Sequence, residues 1–175
     1  HPNYAVVNNF RTNDIAIVFL NQPVTFSATV FPIHVPEPGD DFHPHLNEQG
    51  MVLGYAGPTT IGNEGLENLQ AAHVRAMTHA ACLAIYPGAL ENQHFCANDA
   101  ELGSNFCLGD QGGSFAIMSR QREYLVRTRT GLMVKIFKFI FLQVGIATLP
   151  GCATQPSIYT RVSTYRDWIA QETGL

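Results

Sequence analysis

Short apolar runs separated by Gly, Pro and Asn dominate this chain. Asp14 to Leu20 is a nearly continuous apolar run, typical of a buried strand, and Val24 to Phe26 follows it. Six further runs have the composition of strands: Met51 to Tyr55, Leu69 to Met77, Phe95 to Ala97, Phe115 to Met118, Val144 to Leu149 and Ile158 to Val162. Many short strands with turn residues between them favour an all-β barrel or sandwich over a parallel α/β sheet.

Two segments have helical patterns instead. His79 to Tyr86 is short and alanine-rich, and Pro87-Gly88 directly after it stops a helix. Near the C-terminus, Thr164 followed three residues later by Asp167 predicts an N-cap. The apolar side of this second helix would consist of Tyr165, Trp168 and Ile169. We therefore expect a C-terminal amphipathic helix that packs its aromatic side on the body of the protein.

Composition and charge indicate a soluble globular protein. The chain has 175 residues, of which 46% are hydrophobic and 14% charged, and its net charge is −4. This length can bury a real core and corresponds to about one domain. The negative net charge gives no electrostatic reason to expect a nucleic-acid partner. The cations are nevertheless uneven, since six of the ten fall in one segment: Arg120, Arg122, Arg127, Arg129, Lys135 and Lys138.

Four cysteines, an even number, fit two disulfides and an oxidising compartment, although the sequence by itself leaves three pairings open. Metal binding would need Cys-x-x-Cys or a Cys/His cluster with ligand spacing, and neither is convincing. Asp40, Asp41, His43 and His45 form a polar loop that could bind a cation, but such loops are usually only solvated. We expect no metal and no other cofactor.

The most informative motif is Cys107 to Gly113, which reads Cys-Leu-Gly-Asp-Gln-Gly-Gly. It resembles the Cys-x-Gly-Asp-Ser-Gly-Gly heptad of the trypsin/chymotrypsin serine proteases (peptidase S1), and every fixed position matches except the serine, which is Gln111. A carboxamide has no ionisable O–H and cannot form an acyl-enzyme. Because glutamine for serine needs more than one nucleotide change, a single misread base does not explain it.

Other motifs in the same order extend the resemblance over nearly the whole chain except about residues 120–143. They are His1-Pro2-x-Tyr4, Asn13-Asp14-Ile15-Ala16, Leu53-Gly54-Tyr55-Ala56-Gly57, Cys82, His94-Phe95-Cys96-Ala97, Gly145 to Leu149, Gly151-Cys152, Pro156 to Val162 and Tyr165-x-x-Trp168-Ile169. The resemblance implies a trypsin-like double Greek-key β-barrel fold with a C-terminal helix. It also implies the disulfides Cys82–Cys96 and Cys107–Cys152.

Mapped onto this fold, residues 1–175 form a partial peptidase S1 domain. Residues 1–36 would be the remnant of the first barrel and the connector, 51–162 the essentially complete second barrel, and 163–175 the C-terminal helix. The family's catalytic histidine lies upstream of the Asn-Asp-Ile-Ala segment, so we expect the chain to be a fragment without its N-terminal third. Ala71-Ala72-His73-Val74 imitates the histidine motif, but His73 falls in the second barrel and is better interpreted as an ordinary strand histidine.

The resemblance also implies roles for individual residues. Asp14 takes the position of the triad aspartate, and Gln111 that of the nucleophile. The backbone N–H groups of Gly109 and Gln111 would shape an oxyanion hole, and Asp110 lies at the activation-pocket position. Without a histidine, Asp14 has an alternative interpretation as a buried, hydrogen-bonded acid.

The expected substrate pocket departs from the family pattern. Asn105 stands where trypsin-like members carry aspartate, so a strong preference for Lys or Arg is not expected. Phe106, Leu149 and Ser157 replace small, aromatic and glycine positions, and together with Thr148 they should narrow or occlude the cleft.

Residues 120–143 form an insertion about twenty residues longer than the family's usual hairpin. Three interpretations stay open: a plain exposed loop, a cationic amphiphilic hairpin that touches anionic surfaces, and a retained intron or gene-model error over part of 126–143. The apolar part is too short and too charged to span a bilayer.

Together these features predict a secreted, non-catalytic serine protease homologue that binds a protein partner or a protease of a cascade. A monomer is expected, with no membrane partner. Two alternatives are a functional serine endopeptidase whose sequence is truncated or faulty, and a membrane-surface protein that uses the basic insertion.

Overall fold

The computed structural model describes residues 1–7, 10–37, 43–57, 65–99, 105–127, 133–152 and 154–174, with the backbone alone described at 120–127 and 133–139. Two short strands near the N-terminus, β1 (Ala5–Val7) and β2 (Phe10–Thr12), pair antiparallel as a small sheet. Six more strands close into a barrel in the order β3-β4-β5-β8-β7-β6. They are β3 (Gln49–Gly54), β4 (Gln70–Ala76), β5 (His94–Asn98), β6 (Ser114–Arg127), β7 (Met133–Leu149) and β8 (Ser157–Arg161). This closed barrel confirms the predicted all-β, trypsin-like fold.

The barrel core consists of side chains that alternate inward along these strands. Tyr159 on β8 lies at its centre, with its ring stacked on Phe95 at a centroid distance of 5.1 Å and edge-on to Phe115 at 5.0 Å. All three rings are buried, and Val52 and Val74 pack against the same cluster. Such aromatic pairs in offset or edge-on contact add to the free energy of burial.

Two helices flank the barrel. The first, α1 (His79–Ile85), begins where the Thr78 side chain accepts a hydrogen bond from the Ala81 N–H at 3.2 Å. The second, α2 (Arg166–Thr173), follows a 3-10 helix at Val162–Tyr165. Among the described residues, no helix is long and apolar enough to cross a membrane.

The predicted N-cap of the C-terminal helix is wrong. Thr164 lies inside the 3-10 helix, and its hydroxyl donates to the Asn92 carbonyl instead of accepting from the first turn. The aromatic side of the helix does pack as predicted. Tyr165 is buried, and the His1 ring lies 4.8 Å from the indole of Trp168.

Both disulfides have the pairing that the resemblance implied. Cys82 on α1 is bonded to Cys96 on β5, with Cα atoms 5.5 Å apart. Cys107 is bonded to Cys152, with Cα atoms 4.5 Å apart. The second bond joins the turn that begins at Cys107 to the segment that follows β7.

The predicted strands at Asp14–Leu20 and Val24–Phe26 are absent. Only Ile15 of the first run is buried, whereas Val18, Phe19 and Leu20 are 80%, 67% and 65% exposed. A buried strand needs neighbours that accept its backbone hydrogen bonds and cover its faces. Within the described residues, β1 and β2 pair only with each other. Among residues 13–37, the one β-bridge to the barrel joins His34 to Leu142 on β7.

Strands β6 and β7 are longer than the sequence predicted. Beyond the barrel they pair from Ser119 with Ile140 to Arg127 with Met133, so the insertion continues both strands as a two-stranded ribbon. The cationic side chains from Arg120 to Arg127, with Lys135 and Lys138, lie outside the described side chains, as does Arg129. The three interpretations of the insertion therefore stay predictions.

Candidate active site

The Cys107–Gly113 turn is held in place by covalent and backbone contacts. The disulfide to Cys152 fixes its start. At its end the Gly112 N–H donates to the Ala147 carbonyl at 2.8 Å, and the Ala147 N–H donates to Gly113 at 2.9 Å. Gly109 has φ = 103°, a left-handed conformation that favours glycine. The turn therefore presents position 111 at the edge of β7.

The side chain of Gln111 folds back on its own turn. Its Oε1 atom accepts a hydrogen bond from the backbone N–H of Gly109 at 2.8 Å. This N–H is one of the two donors that the resemblance assigned to an oxyanion hole. In this structure it is bonded to the side chain that stands at the nucleophile position.

Asp110 points to the opposite side of the turn. Its Oδ1 accepts from the N–H groups of Tyr55 and Ala56, both at 2.9 Å, and its Oδ2 accepts from the Cys107 N–H at 3.2 Å. A Cβ atom at Gly54 would overlap this carboxyl group, so glycine is required where β3 ends. Asp110 at the activation-pocket position is thus satisfied by three backbone donors.

Asp14 lies between the N-terminal segment and the barrel. Its Oδ2 accepts a hydrogen bond from the Thr148 hydroxyl, and its backbone carbonyl accepts from the Thr160 hydroxyl at 2.9 Å. The side chain is half-buried. Thr148 was predicted from the resemblance as a pocket residue, whereas its hydroxyl here bonds to the candidate triad carboxylate.

One open cleft of about 890 Å³ brings Asp14, Thr148, Gln111 and Gly112 together. The Arg11 guanidinium donates to the Thr148 carbonyl at 3.1 Å on its wall. His1 also lines the cleft, but its ring packs on Tyr165 and Trp168 and its Nδ1 accepts from the Asn3 N–H. The cleft is therefore lined by the residues at both the triad-aspartate position and the nucleophile position of the resemblance, and their catalytic roles stay predictions.

Sequence comparison with known protein families and proteins agrees with this geometry. The sequence model described as Trypsin matches residues 1–169. The chain belongs to the trypsin family. It is 29% identical over 170 residues to human transmembrane protease serine 11A, covering 94% of this chain and 36% of that protein. It is 26% identical to human trypsin-3 and 28% identical to canine anionic trypsin, covering 97% of this chain and 47% and 58% of those proteins.

This trypsin-family chain therefore spans between about a third and three fifths of the length of these relatives. The cleft, the turn and the two disulfides belong to the part that it shares with them.

The predicted specificity residues lie behind the turn, and several are buried in this trypsin-family barrel. Both ends of the Asn105 amide are hydrogen-bonded: its Nδ2 donates to the Ala97 carbonyl, and its Oδ1 accepts from the Tyr159 hydroxyl at 2.8 Å. Burial, with a smaller contribution from the Asp110 charge, raises the pKa of Tyr159 well above its ordinary value.

Phe106 and Ser157 are buried, and the Ser157 hydroxyl accepts from the Gly151 N–H at 2.8 Å. Leu149 is half-buried and, like Phe10, packs against the cluster that contains Cys82 and Cys96. Their role in substrate binding stays a prediction.

His73 is exposed on β4, in register with Met51, and is not among the residues that line the cleft. A different histidine, which sequence reasoning did not single out, is buried behind the cleft. The Nδ1 of His94 accepts from the Leu90 N–H at 3.0 Å, and its Nε2–H donates to the Arg11 carbonyl at 2.9 Å. Burial lowers the pKa of His94, and the bond to Arg11 only partly offsets this. The neutral ring joins β2 to the barrel.

One group of potential metal ligands lies apart from the cleft. His43, His45 and Glu48 each offer one ligand atom, and the three atoms lie within 4.8 Å of one another. Burial would raise the pKa of Glu48, but hydrogen bonds from His43 and the His45 N–H, with the charges of both rings, lower it overall. Asp40 and Asp41, the other members of the predicted loop cluster, lie outside the described residues.

Proposed function

We propose that this chain is part of a secreted, non-catalytic homologue of the trypsin-like proteases, which binds protein ligands without cleaving them. The observation that carries the proposal is the Gln111 side chain, which stands at the nucleophile position of the shared cleft and bonds to Gly109.

The chemistry of acyl transfer requires a nucleophile that an adjacent base can deprotonate. The Gln111 carboxamide has no such proton, and loss of the nucleophile from a catalytic triad lowers turnover by about a million-fold. On the other side of the cleft, the Asp14 carboxylate accepts a hydrogen bond from Thr148. The Asp14 carboxylate therefore has a hydrogen-bond donor, and this bond involves no proton transfer.

The Gly109 N–H at the oxyanion-hole position is already hydrogen-bonded as well. An oxyanion hole stabilises a transition state because its N–H donors point at a vacant position where charge develops. Here the Gln111 oxygen takes the Gly109 donor. A substrate carbonyl would have to displace that oxygen, which offsets the hydrogen bond that it would gain.

Binding remains possible because the cleft is open. Its volume of about 890 Å³ lies within the range of ligand-binding clefts in proteins. The engaged Asn105 argues against recognition of a basic side chain deep behind the turn. We infer a protein ligand, such as a protease of an extracellular cascade, held by the cleft rim. The two disulfides fit an oxidising compartment.

The test is a cleavage assay with a peptide mixture that presents every residue type before the scissile bond, analysed by mass spectrometry. Active trypsin, assayed in parallel, should give cleavage products. The full chain should give none. Cleavage by the full-length natural protein, with a serine found at position 111 by peptide mapping, would instead support the alternative of a functional serine endopeptidase.

A further inference from the structure

The segment that leads into β3 contains His43, His45 and Glu48 in the spacing His-x-His-x-x-Glu. His43 Nδ1 lies 3.0 Å from Glu48 Oε2, and the two imidazole rings have centroids 4.5 Å apart. Two bonds of about 2.05 Å in a tetrahedron separate their ligand atoms by roughly 3.3 Å. The His43–Glu48 pair is already near this spacing, and all three ligand atoms lie within 4.8 Å of one another.

We propose that His43, His45 and Glu48 form a binding site for a divalent transition metal, with Zn²⁺ as the ion that fits best. Two imidazole nitrogens and one carboxylate oxygen are a donor set that suits Zn²⁺, with water at the fourth position. Mg²⁺ and Ca²⁺ require oxygen ligands almost exclusively and would not be held by this set.

The backbone around the three side chains is anchored before any ion binds. The Asn47 N–H donates to the Ala76 carbonyl at 2.8 Å, and the Ala76 N–H donates back to Glu48 at 3.0 Å. The Arg161 guanidinium donates to the His43 carbonyl at 2.6 Å. These contacts join the loop to β4 and β8, so the ligands need little reorganisation to close on an ion.

Binding through His43 Nδ1 requires the hydrogen bond to Glu48 to break. If the ring is neutral, its proton moves to Nε2. If the ring is an imidazolium, the proton is released to solvent. Glu48 Oε2 also accepts the His45 N–H at 2.8 Å, a bond that its second lone pair can keep while the ion binds. Zn²⁺ thus takes the position of the proton between His43 Nδ1 and Glu48 Oε2 and links these two side chains.

The experiment titrates the full, disulfide-bonded chain with Zn²⁺ against a chromophoric chelator, with Mg²⁺ as the comparison ion. We expect one Zn²⁺ per chain and no competition by Mg²⁺. His45→Ala and Glu48→Gln should each weaken Zn²⁺ binding at least about tenfold. His73→Ala removes an exposed imidazole on β4 and should leave the affinity unchanged, as should His1→Ala.

Wild-type protein gives a second readout that does not depend on the folding of a variant. On addition of Zn²⁺, the imidazole NMR signals of His43 and His45 should shift together, while those of His73 and His79 stay in place. Equal weakening by His73→Ala or His1→Ala, unshifted signals of His43 and His45, or no Zn²⁺ binding at all would each overturn the proposal.

Discussion

The Gln111 side chain accepts a hydrogen bond from the Gly109 N–H at 2.8 Å, so the side chain at position 111 folds back on its own turn. Gly109 itself has a left-handed φ of 103°. Under the proposed function, Gln111 both replaces the nucleophile and occupies the neighbouring backbone donor.

Removal of that acceptor should be visible at Gly109. A hydrogen bond of this kind is worth about 1 kcal/mol net, so Gln111→Ala should speed amide hydrogen exchange of Gly109 about fivefold. Gln111→Glu keeps an oxygen acceptor and should keep the protection. NMR-detected exchange measures both variants. If Gly109 exchanges equally fast in wild type and Gln111→Ala, the hydrogen bond does not persist in solution.

Gly54 should tolerate no side chain. A Cβ there would meet the Asp110 carboxyl group and displace it from the Tyr55 and Ala56 N–H groups. We expect Gly54→Ala to lower the free energy of unfolding by about 2 kcal/mol or more. Gly65→Ala is the matched control, since its nearest contact would be 3.4 Å away, and should change stability by less than about 0.5 kcal/mol. Urea unfolding of both variants decides the point; equal effects would refute the packing argument.

His94 should make stability depend on pH. Its folded-state pKa is lowered by burial, so below an unfolded pKa of about 6.5 the unfolded chain binds a proton that the folded chain refuses. The stability from the neutral ring is complete above that pH. It falls by at most about 1.4 kcal/mol per pH unit as the pH drops, until the folded-state pKa is reached.

The matched variant for this dependence is His94→Gln, which can still donate to the Arg11 carbonyl but does not titrate. Its free energy of unfolding should be lower at pH 7 and should depend less on pH between 6.5 and the lowered pKa than the wild type's does. Urea titrations across this range make the comparison. Parallel curves for the two proteins would remove His94 as the cause.

The two disulfides should differ in their contribution. Cys107–Cys152 closes a separation of 45 residues and Cys82–Cys96 one of 14, and loop-closure entropy then assigns about 4 and about 3 kcal/mol. Replacing Cys107 and Cys152 together by Ala should therefore destabilise the chain more than the same change at Cys82 and Cys96. Equilibrium unfolding of the two double variants gives the order, and the reverse order would count against the chain-entropy explanation.

Much of the barrel was predictable because its apolar runs lie next to one another in the fold. The strands at Met51–Tyr55, Leu69–Met77 and Ile158–Val162 appear with nearly the predicted bounds. Asp14–Leu20 has the same composition but no partner strand among the described residues, so the pattern alone overpredicted a strand. The length of β6 and β7 depends on their pairing with each other, which neither segment reveals by itself.

Three of the predicted residues, Asp14, Gln111 and Thr148, line the cleft, but the contacts that they make were not predictable. The heptad motif predicted Gln111 at the cleft, and the Asn-Asp-Ile-Ala segment predicted Asp14 there. The bond from Thr148 to Asp14 joins residues 134 positions apart, and the bond from Gly109 to Gln111 depends on a side-chain rotamer. Neither leaves a periodic signal in the sequence.

The absence of catalysis is tested most directly by a fluorophosphonate probe, which reacts with an activated serine and not with a carboxamide. The full-length natural protein is treated beside an active trypsin and analysed by intact mass and peptide mapping. We predict that trypsin gains the probe and that this protein gains none. An adduct at position 111 would contradict the proposal that this trypsin homologue binds without cleaving.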